Sequence, residues 1–150
     1  MADDAKSPHE DRPESLTGPG QPAAILCVED NVDNRILLRR VLQAEGYQVL
    51  EAGSAREALD VSGAHHLDLV LVDINMPAVD GLTLMQSLKS DARCTNVPVI
   101  AITANVMRGD QERTLAAGCD GYIQKPIDVD LLPRQILRFL RLRPQSGRSA

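Results

Sequence analysis

Five times along the chain, a short apolar run is followed by a segment of helical periodicity. The runs at 23–28, 67–72 and 97–103 are nearly continuous in Val, Ile, Leu and Ala, with a less continuous one at 47–52 and a shorter one at 122–124. A strand that is apolar on both sides has no solvent face, so such runs belong in a sheet covered on both faces by helices. Segment 33–44 sets Leu37, Val41 and Ala44 on one helical face and stops before Gly46, a residue suited to a helix end. Ser54, with Glu57 three residues later, has the form of a capping box and opens a helix to about Ala64. Residues 81–90 and 106–117 read as further helices, the second stopped by Gly118. The last helix runs to about Leu140 and is predicted to begin near Asp130. An earlier start would push Pro133 beyond the first turn, where it would lose a backbone bond and clash. Repeated strand–helix alternation with right-handed crossovers gives an α/β fold, a doubly wound five-stranded parallel sheet.

In such a sheet ligands bind beyond the carboxyl ends of the strands, where strand order reverses. The first strand runs out into Glu29-Asp30-Asn31 and the third into Asp73-Ile74-Asn75. Three carboxylates therefore gather at neighbouring strand ends. A like-charged pair at ~4 Å costs about 4 kcal/mol at an effective dielectric of ~20. A hard cation offsets that cost, and Mg2+ uses one or two carboxylates together with water and phosphate oxygens. The fourth strand ends in Thr103 and the fifth in Lys125, adding a hydroxyl and a cation to the same rim. A carboxylate nucleophile, a metal site, a hydroxyl and a lysine form the minimum set for phosphoryl transfer.

Singly, each group has a plainer reading. Glu29-Asp30 could merely favour a helix dipole, Asp73 before Pro77 and Gly81 could mark a turn, Thr103 could be a cap and Lys125 a solvated charge. The weight lies in four strand ends that carry complementary groups on one rim.

The segments ILCVEDN, LVLVDINMPAVDGL, VPVIAITAN and GCDGYIQKPID, in that order and spacing, resemble the receiver domain of two-component response regulators over residues 23–141. The resemblance implies a flavodoxin-like sheet of order 2-1-3-4-5. It implies that Asp73 accepts a phosphoryl group from a phosphohistidine of a histidine kinase or histidine phosphotransfer protein. Asp30 and Asp73 would ligate Mg2+ directly, Glu29 through water, and the backbone carbonyl of Asn75 would be a further ligand. Thr103 and Lys125 would contact the phosphoryl oxygens, and the Lys125–Pro126 bond would be cis. Tyr122 falls where the family carries its switch aromatic, moving inward as Thr103 is drawn to the phosphoryl group. Asn75 and Asn105 would influence access of water to the aspartyl phosphate. Partners would dock on the first helix through Asn31, Asn34 and Leu38, with Pro126 beside them. The loop and fourth-strand sequences look most like single-domain regulators of cell division and development and like receivers of hybrid kinases. A rival reading is a phosphohydrolase of the haloacid dehalogenase type, which needs a second aspartate two residues past its nucleophile; Asn75 stands there and cannot exchange a proton in that role. An unphosphorylated scaffold receiver would have no need for Glu29, Asp30, Asp73, Thr103 and Lys125 together.

Composition narrows the partners. With no Trp, one Phe, two Tyr and a net charge of −5, the chain is poorly equipped to stack bases or neutralise a phosphate backbone. No apolar run approaches the ~18 residues of a membrane span. Three cysteines without CxxC spacing disfavour a disulfide framework or zinc site and suit a reduced, cytoplasmic protein. His65 and His66 have no neighbouring carboxylate or cysteine pattern and read as a helix end rather than metal ligands. Residues 1–22 and 142–150 are expected to be tails, the first disordered for want of apolar residues. With the last helix ending near Leu140, output is expected through contact with a downstream protein rather than an attached DNA-binding module.

Overall fold

The computed structural model describes residues 22–74, 81–91, 94, 96–104 and 118–141. Among the described residues nine elements follow one another: β1 (Ala24–Val28), α1 (Val32–Ala44), β2 (Gln48–Ala52), α2 (Ala55–Ala64), β3 (Leu69–Asp73), α3 (Gly81–Ser90), β4 (Val99–Thr103), β5 (Gly121–Gln124) and α4 (Leu132–Leu140). The five strands form one parallel sheet in the order β2-β1-β3-β4-β5. This is the architecture and strand order expected from the sequence. Residues 1–21 of the first tail, the second tail, Asn75, Asn105 and the helix anticipated at 106–117 lie outside the described residues.

Strand residues of period two divide between two apolar layers. Ile25, Cys27, Leu69, Leu71, Ile100 and Ile102 pack with Leu38 and Leu42 of α1 and Ile136 and Phe139 of α4. Leu26, Val28, Val70, Val72, Val99 and Ala101 pack on the other face with Ala58 of α2 and Leu84, Met85 and Leu88 of α3. β1, β3 and β4 are buried throughout, which accounts for their unbroken apolar sequence.

Local signals set the element ends. Gly46 takes φ of 93° just beyond α1, a left-handed conformation that favours glycine. Ser54 caps α2 by accepting from Glu57 N–H at 3.1 Å; Glu57 Oε1 in turn accepts from Gly53 N–H, one residue before the cap, at 2.6 Å. α4 begins at Leu132, two residues later than anticipated, with Pro133 in its first turn. Asp128 makes the difference: its Oδ1 accepts from the N–H of Asp130 and Leu131, holding them in a turn ahead of the helix.

Two expectations are corrected. On α1 the buried residues are Leu38 and Leu42, while Leu37 is 36% exposed. Ile36, Leu37 and Leu38 are consecutive apolar residues, so periodicity allows more than one inward face, and packing on the sheet selects Leu38 and Leu42. A side chain with no exposed surface cannot anchor a partner. His66 does have a carboxylate neighbour, because Nε2 lies 3.2 Å from Oδ1 of the fully buried Asp68. Asp68 Oδ2 meanwhile accepts from Ala24 N–H at 2.8 Å, tying β1 to the start of β3.

Candidate active site at the carboxyl ends of the strands

Strand register brings the acidic and basic groups to one rim. Val28, Val72, Ala101 and Tyr122 occupy consecutive positions of one rung across β1, β3, β4 and β5. Glu29 and Asp73 each follow that rung by one residue, Thr103 by two and Lys125 by three. One carboxylate oxygen from each of Glu29, Asp30 and Asp73 lies within 4.8 Å of the others. Lys125 Nζ donates to Asp73 Oδ2 at 2.8 Å and stands 3.8 Å from Glu29 Oε1. Thr103 is buried at its strand end, and its carbonyl accepts from Lys125 N–H at 2.8 Å. The Lys125–Pro126 bond is cis, as the sequence resemblance implies.

Burial sharpens the electrostatics. Glu29 and Asp73 are 1% and 2% exposed, whereas Asp30 is open to solvent. Glu29 Oε2 accepts from Asn31 N–H at 3.1 Å; Oε1 is buried with no hydrogen-bond partner among the described residues. The Glu29 carboxyl is pushed up to about 7, first by burial and then by its contact with the Asp73 carboxyl, against the pull of Asn31 N–H and Lys125. A buried acceptor without a donor costs free energy. Three converging carboxylates, one of them with an orphaned oxygen, fit the ligand set of a hard divalent cation.

The flanks of the site are also defined. Asn31 caps α1, its Oδ1 accepting from Asn34 N–H at 2.9 Å. A groove of about 420 Å³ opens beside Glu29 and Lys125, lined by Asn34 and Leu37 of α1 and by Ala104, Pro126 and Ile127. Leu37 therefore stands where the sequence reading placed Leu38. Tyr122 on β5 is half-buried against the layer containing Val99 and Ala101. The sequence reading passed over Arg35, whose NH1 donates to the Glu29 carbonyl at 2.8 Å. The available signal was its place four residues after Asn31, one helical turn from the loop that holds the acidic pair.

A family model described as the response regulator receiver domain matches residues 25–137. The chain belongs to the response regulator receiver-domain family. This receiver domain is 43% identical over 117 residues to the polar-differentiation response regulator DivK of Brucella ovis, covering 78% of the chain and 95% of the relative. DivK of Brucella anthropi is 41% identical over 119 residues, covering 79% and 97%. Among solved structures, Vibrio cholerae chemotaxis protein CheY4 aligns with a TM-score of 0.76 at 25% identity, covering 79% of this chain and 98% of that one. The receiver domain of a sensor histidine kinase from Pseudomonas aeruginosa PAO1, with a magnesium ion coordinated in its active-site cleft, aligns at 0.74 and 31% identity, covering 80% and 98%. Likeness to single-domain differentiation regulators and to kinase receivers matches the resemblance carried by the loop sequences. Among the described residues, no helix is long and apolar enough to cross a membrane.

Proposed function

We propose that this receiver domain is a phosphoacceptor switch in which Asp73 takes a phosphoryl group from a phosphohistidine of a histidine kinase or histidine phosphotransfer protein. The observation that carries the reading is the convergence of Glu29, Asp30 and Asp73, with Lys125 Nζ 2.8 Å from Asp73 Oδ2. An Asp73 carboxylate oxygen attacks phosphorus, the P–N bond to the donor histidine breaks, and its electron pair returns to the imidazole. Lys125 exchanges its Asp73 contact for a phosphoryl oxygen, and the Thr103 hydroxyl donates to another. Asp30 and Asp73 would hold Mg2+ directly, Glu29 through water, and the Asn75 backbone carbonyl would add a ligand. Held by these residues, the ion would supply positive charge against the phosphoryl oxygens.

Output follows as a shift between two states. When Thr103 is drawn to the phosphoryl group, the half-buried Tyr122 packs inward and the surface around β5 and α4 changes for a downstream protein. The ligand shifts that equilibrium only by its differential affinity for the two states. Phosphohistidine partners dock along α1 at Asn31, Asn34 and Pro126, with Leu37 as the apolar anchor in place of Leu38. The folded unit spans 23–141, between tails 1–22 and 142–150. It works in the cytoplasm, where its phosphodonors are, and catalyses only its own phosphorylation and dephosphorylation. Nucleic acid and membrane have no place in the scheme.

Acetyl phosphate with Mg2+ tests the reading by intact-mass spectrometry. The protein gains the mass of one phosphoryl group, and Asp73→Asn abolishes the gain. Labelling that survives Asp73→Asn, or steady turnover of a phosphomonoester as in a haloacid dehalogenase-type hydrolase, overturns it.

A further inference from the structure

Glu29 is held by its backbone as well as its side chain. Its N–H donates to Ala52 O at 2.9 Å, at the end of edge strand β2. Its carbonyl accepts from Arg35 NH1 at 2.8 Å. The same guanidinium presents Nε to Glu51 Oε1 at 3.3 Å, and Glu51 Oε2 accepts from Arg39 NH1 at 3.0 Å. Both main-chain groups of Glu29 are thus referred to β2, one directly and one through Arg35. The next residue is Asp30, whose carboxylate is open to solvent. Asn31 follows, its N–H bound to Glu29 Oε2.

Two features mark this as more than a surface ion pair, which by itself is worth about 0–1 kcal/mol. A planar guanidinium can divide its donors between a carbonyl and a carboxylate, and an ammonium on a flexible stem cannot hold both in fixed geometry. In addition, the room for Arg35 depends on Gly53. A Cβ at residue 53 would lie 2.8 Å from Arg35 NH1. Gly53 is not in the left-handed region, so its lack of a side chain matters here for space rather than for backbone conformation.

We infer that Arg35 is a positioning residue: it pins the Glu29 carbonyl to β2 and so holds the Glu29-Asp30 turn in the orientation that gathers its carboxylates beside Asp73. The inference rests on the reading of that cluster as a Mg2+ site. It makes a prediction opposite in sign to simple electrostatics. Arg35 is a cation near a cation site, so deleting its charge alone would tighten metal binding. Loss of positioning weakens binding instead, and groups that orient metal ligands typically contribute tenfold or more to affinity.

The test is Mg2+ titration by calorimetry of the wild type and of Arg35→Ala, Arg35→Lys, Gly53→Ala and the Arg35→Ala/Gly53→Ala double variant. Metal-free amide spectra of Asp30 and Asn31 are recorded in parallel. The expected result is about tenfold weaker binding in each single variant, Arg35→Lys included, with Asp30 and Asn31 amides displaced before metal is added. Gly53→Ala should add nothing in the Arg35→Ala background, because the group it displaces is gone. Acetyl phosphate labelling at saturating Mg2+ should return toward the wild-type rate, which a general loss of fold would not allow. Unchanged or tighter binding in Arg35→Ala and Gly53→Ala overturns the positioning role while leaving the metal site intact. Absence of Mg2+ binding in the wild type overturns the site reading itself. If Arg35→Ala does not fold, Gly53→Ala alone decides.

Discussion

Glu29 carries a carboxyl inside the protein that favours its proton to about pH 7, against an ordinary value of 4.5. A raised acid pKa has a definite sign. Between about pH 4.5 and 7 the folded state keeps a proton that the unfolded chain releases. This contribution to stability is therefore greatest at the acid end of the interval and falls as pH rises through it, by at most about 1.4 kcal/mol per pH unit. Urea unfolding at pH 5 and 7.5 without divalent cation should show that fall in the wild type. Glu29→Gln, which has no proton to release, should lose less over the same interval. Equal pH dependence in the two proteins would show that Glu29 ionises normally. Local sequence could not reveal the raised pKa, because its first cause is burial under neighbouring strands and its second is Asp73, which lies far along the chain. That Glu29, Asp30, Asp73, Thr103 and Lys125 share a rim was nevertheless readable, since each sits at or just past the end of an apolar run and a parallel sheet aligns those ends.

At the scale of the element, α1 is the instructive case. Its extent was legible to within a residue, since the periodic segment 33–44 stops before Gly46 and the helix runs Val32–Ala44; that Asn31 caps it emerged only from the structure. Its inward face was not legible, because five of the seven residues from Ile36 to Leu42 are apolar. The sheet accepts Leu38 and Leu42 and leaves Leu37 at the groove. Leu38→Ala should destabilise the domain by about 2–5 kcal/mol through loss of core contacts and the cavity left behind. Leu37→Ala should change stability by less than about 0.5 kcal/mol, as is usual for an exposed position. It should nevertheless slow phosphotransfer from a histidine phosphotransfer protein. Chemical denaturation paired with phosphotransfer rates separates the two, and a stability loss at Leu37 equal to that at Leu38 would contradict the assigned face. The late start of α4 has a similar origin. Pro133 restricted the helix start to a few positions, and the Asp128 side chain decided among them.

For the whole molecule, the sheet provides the stability and the rim is where some of it is given up. The two apolar layers bury β1, β3 and β4 completely, while the rim holds three carboxylates beside one lysine. A cation that binds only the folded state adds stability by mass action, about 2.7 kcal/mol at a hundred times its Kd. Mg2+ should therefore raise the urea midpoint of the wild type. Asp30→Asn should largely remove that gain, since it deletes a proposed ligand on the solvent-open side without touching the core. A midpoint insensitive to Mg2+ in the wild type would exclude the proposed metal site.

Strand type, strand count, the Ser54 cap, the Gly46 stop and the chemical groups on the rim were determined by the sequence alone. Apolar periodicity, cap residues and strand-end residues act over a few positions, and their physics is local. The tertiary structure alone decided that Leu38 rather than Leu37 is core, that His66 meets Asp68, that burial pushes the Glu29 carboxyl up, and that Arg35 reaches back to the Glu29 carbonyl over Gly53. Each of these depends on which distant segments come to lie within a few ångströms, and on how much water they exclude when they do.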